Sequence, residues 1–244
     1  MNVELMAHAQ LSRKFVEKLK AELEFAMPFT SGKAIALTAI RTCYSPCEPS
    51  EIVSNEGEKY FGNKATDGKG GSEADRLFRM IVRSGHTSTL EHLSFTFAIE
   101  GVSRTLLAQL TRHRVGFSYS VQSQRYVKFG SGDRSGGFNY VTPESINKFF
   151  DSEANVKFSD LMLDIQNIYD ELRKLGIPAE DARAVLPNAA ACNLVMTTNL
   201  RALLEFYAKR KPGKGAQAEI AGLAEALKKS VVEVEPWTSQ FFDK

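Results

Sequence analysis

Apolar residues recur at helical spacing in segment after segment of this 244-residue chain, and the runs close on glycine or proline breaks. That rhythm constrains the fold most, because a stripe at helical period defines both a helix and the face it buries. The first run is Leu11 to Ala26, closed by Met27-Pro28-Phe29-Thr30-Ser31-Gly32, and the second is Lys33 to Tyr44. A third opens on Ser72 with Asp75 three positions on, places Leu77, Met80 and Ile81 on one face and stops at Gly85. Ser103 caps a fourth with Leu106, Leu107 and Leu110 inward; a long one carries Phe158, Leu161, Ile165, Ile168 and Leu172 and ends at Gly176. A short helix through Ala182 to Leu186 ends at Pro187, and two more cover 199–210 and 219–229 around a Lys211 to Gly215 break. Period-two alternation is confined to Phe95, Phe97 and Ile99 against Ser94, Thr96 and Ala98, with shorter strand patterns at 125–129 and 194–198. With no repeat and no βαβ rhythm, the chain reads as α+β, a mostly helical single domain over 1–244 with a small mixed or antiparallel sheet. Residues 45–72, rich in Pro, Glu, Ser, Asn and Gly, are too many for an ordinary connection and read as a mobile loop, lid or insertion; 130–137 reads as a second flexible loop.

Charge excludes one class of function. Thirty-one basic and 29 acidic residues leave a net +2, too little for the chain as a whole to act as a polycation toward nucleic acid or acidic lipid. Any anion site is therefore a local cluster. Cys43, Cys47 and Cys192 are an odd number, which argues against a secreted disulfide framework and for a reducing, cytoplasmic setting. No apolar stretch approaches a membrane span and no targeting segment is recognisable, so a membrane partner is not expected.

Standard cofactor signatures fail. Gly57 and Gly62 have the spacing of a phosphate loop, but Asn63 stands where its lysine belongs. Gly130-Ser131-Gly132 is followed by Gly136, one position too far for a dinucleotide fingerprint. Cys43, Cys47, His86 and His92 match no common zinc spacing, so no metal is expected. The dense chemistry lies between His86 and Tyr126. Arg112, His113 and Arg114 place three potential cations in a row, an arrangement that suits either an anionic, electron-rich ligand or a solvated helix end complementing the dipole. The polar stretch Ser118 to Arg125 that follows joins two core-patterned elements and offers hydrogen bonds to a phosphate or heterocycle.

Arg112-His113-Arg114, eight further residues and then Ser123-Gln124-Arg125-Tyr126 resemble the signature of the flavin-dependent thymidylate synthases. The likeness extends, in family order, through Gly85-His86-Thr87-Ser88-Thr89-Leu90-Glu91-His92, the Phe95-Thr96-Phe97 strand, Ser103-Arg104 with Gln109, Ala182-Arg183-Ala184-Val185-Leu186-Pro187, Asn199-Leu200-Arg201 and Ala216-Gln217-Ala218-Glu219-Ile220. The resemblance implies reductive methylation of dUMP to dTMP, with methylenetetrahydrofolate as carbon donor and FAD reduced by NADPH as hydride source. It implies FAD contacts from Arg112, His113 and Arg114, with His86, Ser88, Glu91, Asn199 and Arg201. It implies a dUMP site made by Gln109, Arg112, Val121, Gln122, Ser123, Gln124, Arg125, Arg183 and Arg210, with Arg210 catalytic beside the uracil ring, and a homotetramer whose sites lie at subunit junctions. Planar, permanently charged guanidinium groups suit phosphate oxygens and ring carbonyls, which agrees with those roles.

This chain departs from the family pattern in three places. Ser120-Val121 stand where many members carry Asn-Glu, leaving only backbone contacts there; Glu205 replaces an amide or similar group; and the Lys211 to Gly215 break is longer than in some members. Two other readings use the same residues. An RNA-binding module would combine the arginines with Tyr119 and Tyr126 but calls for a wider basic surface, and a flavin-binding protein without catalysis would have no need of Arg183 and Arg210. A yellow purified protein separates the flavin readings from RNA binding.

Overall fold

The computed structural model describes residues 1–23, 29–148 and 152–242. Strands β1 (Asn2–His8), β2 (Ser94–Ser103), β3 (Phe117–Val121) and β4 (Ala191–Asn199) form one antiparallel sheet in the order β1-β2-β4-β3. Its period-two pattern works as alternation demands: Phe95, Phe97 and Ile99 of β2 and Leu194 and Met196 of β4 are buried on one face, with Phe97 opposite Met196. The expected α+β, mostly helical architecture with a small antiparallel sheet is what forms.

The helices are α1 (Arg13–Glu22), α2 (Ser31–Thr42), α3 (Ile52–Gly57), α4 (Glu73–Ser84), α5 (Arg104–Leu110), α6 (Glu144–Asn147), α7 (Glu153–Lys174), α8 (Ala179–Ala182), α9 (Leu200–Arg210), α10 (Ala218–Val234) and α11 (Ser239–Phe242). Leu37 and Ile40 of α2, Phe78 of α4, Leu203 and Phe206 of α9 and Leu223 and Leu227 of α10 join the sheet residues in the main core. Local chemistry sets the boundaries. Ser72 and Asp75 form a reciprocal capping box at α4, and Gly85 ends that helix in the left-handed region at φ +78. Ser103 Oγ accepts from Leu106 N at 3.0 Å to start α5, and Asn199 Oδ1 accepts from Ala202 N at 2.9 Å to start α9.

Several expectations are corrected. Residues 49–62, inside the stretch read as a loop, wind into helical turns that bury Ile52, Val53, Tyr60 and Phe61; polar composition masked four core side chains. The strand is Phe117–Val121, while 125–129 forms a turn in which Val127 N donates to Ser123 O at 2.9 Å. Phe117, Tyr119 and Val121 do alternate, but the serines between them made the segment look like a loop. β1 was missed, since only its pairing with β2 holds it extended. Met80 is exposed and Phe78 takes the core position instead. The α7 stripe is likewise turned around: Met162 and Tyr169 are buried, whereas Leu161 and Ile168 are 53% and 47% exposed. The end of the first expected helix, 24–26, lies outside the described residues.

Tyr169 belongs to a second, smaller cluster with Phe129 and Ala182, against which Val127, Phe138, Leu172, Val185 and Leu186 pack. This lobe spans the turn after β3, the loop expected at 130–137, α7 and α8. The loop is tied down by polar contacts: Ser131 N and Oγ donate to Asp170, and Phe138 N donates to Gln166 Oε1 at 2.9 Å.

Candidate active site

The end of α5, the start of β3 and the far end of α9 converge on His113. Its ring is half-buried, edge-on to Phe206 at 5.0 Å between centroids and tilted against Phe117 at 6.1 Å. Arg210 Nε donates to His113 Nε2 at 3.2 Å, and Arg210 NH2 reaches Gln109 O at 3.5 Å. Burial, then Arg210, Lys209 and Arg112, push the His113 pKa below the ordinary imidazole value, so the ring is neutral at neutral pH. Tyr119 Oη donates to His113 O at 2.7 Å and to Leu110 O at 3.1 Å, and its burial raises its pKa, keeping the hydroxyl a donor. Gly116, at φ +74, follows the triplet. A Cβ there would come within 2.6 Å of Ala202 Cβ and 2.8 Å of Asn199 Nδ2, so the turn lies against the start of α9 only because it carries no side chain.

Arg112 and Arg114 are exposed, and among the described residues neither side chain makes a hydrogen bond or ion pair. Two such guanidinium groups flanking a neutral histidine form a donor set that fits the phosphates and ring carbonyls of FAD. The remaining residues assigned to the cofactor fall nearby along α9. Ser88 and Glu91 belong to the short helical turn before β2, which packs on α2 and α9, and His86 immediately precedes it. Arg201 NH1 pairs with Glu91 Oε1 at 2.6 Å and its Nε with Glu205 Oε1 at 3.2 Å. His86 Nδ1 lies 3.0 Å from Tyr44 Oη. Asn199 spends its side-chain oxygen on the α9 cap, leaving its amide nitrogen as the group it can offer.

The residues assigned to dUMP divide into two groups. Gln109 Nε2 donates to Gln217 Oε1, the residue that precedes α10, and this places Gln109 beside the Arg210 contact. Val121 pairs with Leu194 across the sheet, Gln122 N donates to Asn193 O at 2.8 Å, Ser123 Oγ accepts from Arg125 N at 3.2 Å, and Gln124 is buried. Arg125 Nε then pairs with Glu180 Oε2 at 2.6 Å, while Arg183 Nε donates to Glu180 O at 2.9 Å. Among the described residues, no hydrogen bond or ion pair joins the Arg125–Arg183 group to the Gln109–Arg210 group. Sequence reasoning missed Glu180, Tyr44 and the role of Gln217. Glu180 was detectable as an acid three positions before Arg183, but nothing in the sequence points to Tyr44.

A cleft of about 750 Å³ opens beside Gln217, among Ser103, Thr105, Thr142, Ser145 and Glu219, and not at the arginine triplet. Glu219 is committed there as acceptor from Ser103 N and Oγ. The thiols lie elsewhere: Cys192 is buried with its pKa raised by desolvation, and Cys43 and Cys47 lie before α3. Among the described residues, no group of three His, Cys, Asp or Glu side chains is placed to hold a metal ion, and no helix is long and apolar enough to cross a membrane.

Fold and site together define a small antiparallel sheet wrapped in helices, with the arginines of several elements gathered around a half-buried histidine. Comparison with other proteins narrows that class. The family model described as "Thymidylate synthase complementing protein" matches residues 27–237. A flavin-dependent thymidylate synthase of Clostridium tetani is 34% identical over 220 residues, covering 83% of this chain and 78% of that protein. The enzyme of the same name from Geobacter sulfurreducens is 39% identical over 203 residues, with the same coverage. Among solved structures, a UMP/dUMP methylase, PolB of Streptomyces cacaoi bound with 5-Br dUMP, superposes with a TM-score of 0.69 at 21% identity, covering 99% of this chain and 94% of that one. The chain belongs to the flavin-dependent thymidylate synthase family. It is accordingly a flavoprotein methyltransferase of dTMP synthesis.

Proposed function

We propose that the chain converts dUMP to dTMP in sites completed between subunits of a homotetramer in the cytoplasm, with methylenetetrahydrofolate giving the carbon unit and NADPH the reducing equivalents. Arg112, His113 and Arg114 hold FAD, with His86, Ser88, Glu91, Asn199 and Arg201 around it. FAD supplies the hydride chemistry that no side chain of this protein provides. Gln109, Arg112, residues 121–125, Arg183 and Arg210 hold dUMP. In this reading Arg125 and Arg183 are the phosphate group, offering paired planar donors, and Arg210 lies along the uracil. A guanidinium fixed there stabilises negative charge that develops on the ring, and it acts more on the transition state than on the bound substrate because it is already oriented.

The observation that carries the reading is the meeting of Arg210 with the histidine of the basic triplet across 97 positions of sequence. The fold's use by a methylase bound with 5-Br dUMP supports a pyrimidine nucleotide as substrate. The separation of the two dUMP groups within one chain and the exposed apolar face of α7 support shared sites. Replacing Arg112 and Arg114 together by Ala is expected to abolish flavin absorbance in the purified protein while circular dichroism stays unchanged. Undiminished flavin content would remove the triplet from the cofactor site.

A further inference from the structure

We propose that His113 is a positioning residue for Arg210: its Nε2 accepts the Arg210 Nε–H and thereby aims the guanidinium plane. The proposal rests on the reading of Arg210 as the uracil contact. An arginine at a helix end is a long, flexible chain whose charged plane sweeps a wide volume unless something accepts from it. Here the end of α5 and the turn after it supply the two acceptors, His113 Nε2 at 3.2 Å for Nε and Gln109 O at 3.5 Å for NH2. With Nε and one NH2 hydrogen committed, both NH1 hydrogens and the second NH2 hydrogen are left for a ligand. The direction of Nε2 is itself held. Phe206 packs edge-on to the imidazole, and Tyr119 fixes the backbone beneath it through His113 O.

A nitrogen that accepts carries no proton, so this contact requires a neutral imidazole protonated on Nδ1. Imidazolium would place an N–H and a like charge against Arg210 and release it. The groups facing the ring favour the neutral form. Arg210 and Lys209 approach from α9 and Arg112 from its own segment, Phe206 and Phe117 add apolar faces from α9 and β3, and no carboxylate contacts the ring among the described residues. Acid therefore uncouples Arg210 through His113 before any change in Arg210 itself.

The chain has four histidines, so histidine-selective isotope labelling of the FAD-loaded enzyme resolves the ring of each by nuclear magnetic resonance. In the wild type, His113 should be the neutral Nδ1–H tautomer with a midpoint below that of free histidine, and in Arg210→Met that midpoint should rise. An Nε2–H tautomer, or a midpoint indifferent to Arg210→Met, would overturn the proposal. Two variants give the kinetic readout. His113→Phe keeps the aromatic packing without the acceptor, and at saturating dUMP its turnover should fall on the order of tenfold to a hundredfold, as expected for a catalytic group misplaced by about 1 Å. His113→Gln keeps an uncharged acceptor, so it should recover most of that turnover and lose the acid limb of the pH profile. Equal loss in both variants, with FAD content unchanged, would count against positioning. Failure of the uracil reading looks different: Arg210→Lys would then turn over normally while the His113 tautomer and its response to Arg210→Met stand.

Discussion

The cluster beneath the sheet and the cluster under α7 hold their candidate site residues by different forces. Beneath the sheet, Phe95, Phe97, Phe206 and their neighbours are almost fully removed from water, and the elements carrying His113, Arg201 and Arg210 pack directly on them. Under α7 the apolar centre is only Phe129, Tyr169 and Ala182, and polar contacts carry much of the load. Asp170 is one such contact: burial pushes its pKa up, but hydrogen bonds from Ser131 and Gln166 outweigh that and hold it below the usual carboxylate range. The charged pair that organises Arg125 is open to water, with Arg125 58% and Glu180 44% exposed. The residues proposed to contact the uracil therefore rest on the larger core, and those proposed to bind the phosphate rest on a lobe whose outer face is itself apolar.

The largest effect should come from that outer face. Leu161→Asp combined with Ile168→Asp is expected to dissociate the proposed tetramer by light scattering and to abolish turnover, with helical content retained; an unchanged mass would place the subunit contact elsewhere. Next come the two interiors. Phe97→Ala should cost about 3–5 kcal/mol in denaturant unfolding. Tyr169→Phe, which strands the Phe129 N–H now donated to the Tyr169 hydroxyl at 3.2 Å, should cost about 1–3 kcal/mol and show as faster hydrogen exchange confined to 127–138. Global loosening by both would mean the two clusters open as one unit. Arg210→Lys keeps the charge and loses the fork; dTMP formation should slow on the order of 10²-fold with FAD retained, in line with removal of a preorganised donor. The smallest effect belongs to Glu180→Gln. Loss of an exposed pair should change stability by less than about 1 kcal/mol. Freed from its carboxylate partner, Arg125 should bind dUMP somewhat more tightly in calorimetry, and weaker binding would show that Glu180 presents the arginine and does not compete for it.

Much of the scaffold was legible because its signals are local, whereas the candidate residues were named through a family resemblance. The capping box at Ser72 and Asp75, the glycine stop at Gly85 and the alternation of Phe95, Phe97 and Ile99 each act within a few residues, so composition and spacing report them. What escaped was decided at a distance. β1 is extended because β2 offers it a ladder, and 117–121 is a strand because β4 does, whatever its serines suggest. The helical turns at 49–62 escaped for the complementary reason, since four apolar side chains among many polar ones leave no readable period.

By itself, the sequence determined the helix boundaries marked by caps and glycine stops at Ser72, Gly85 and Ser103, together with the family motifs, all consequences of hydrogen bonds and spacing over short spans. Tertiary structure alone decided how those residues are used. His113 and Arg210 stand 97 positions apart, and Gln109 and Gln217 are separated by 108, so no local pattern encodes either contact. The same holds for α7, whose sequence is apolar on more than one side. The small cluster around Tyr169 selected which side turned inward, and burying an aromatic hydroxyl with its partner satisfied left Leu161 and Ile168 facing out.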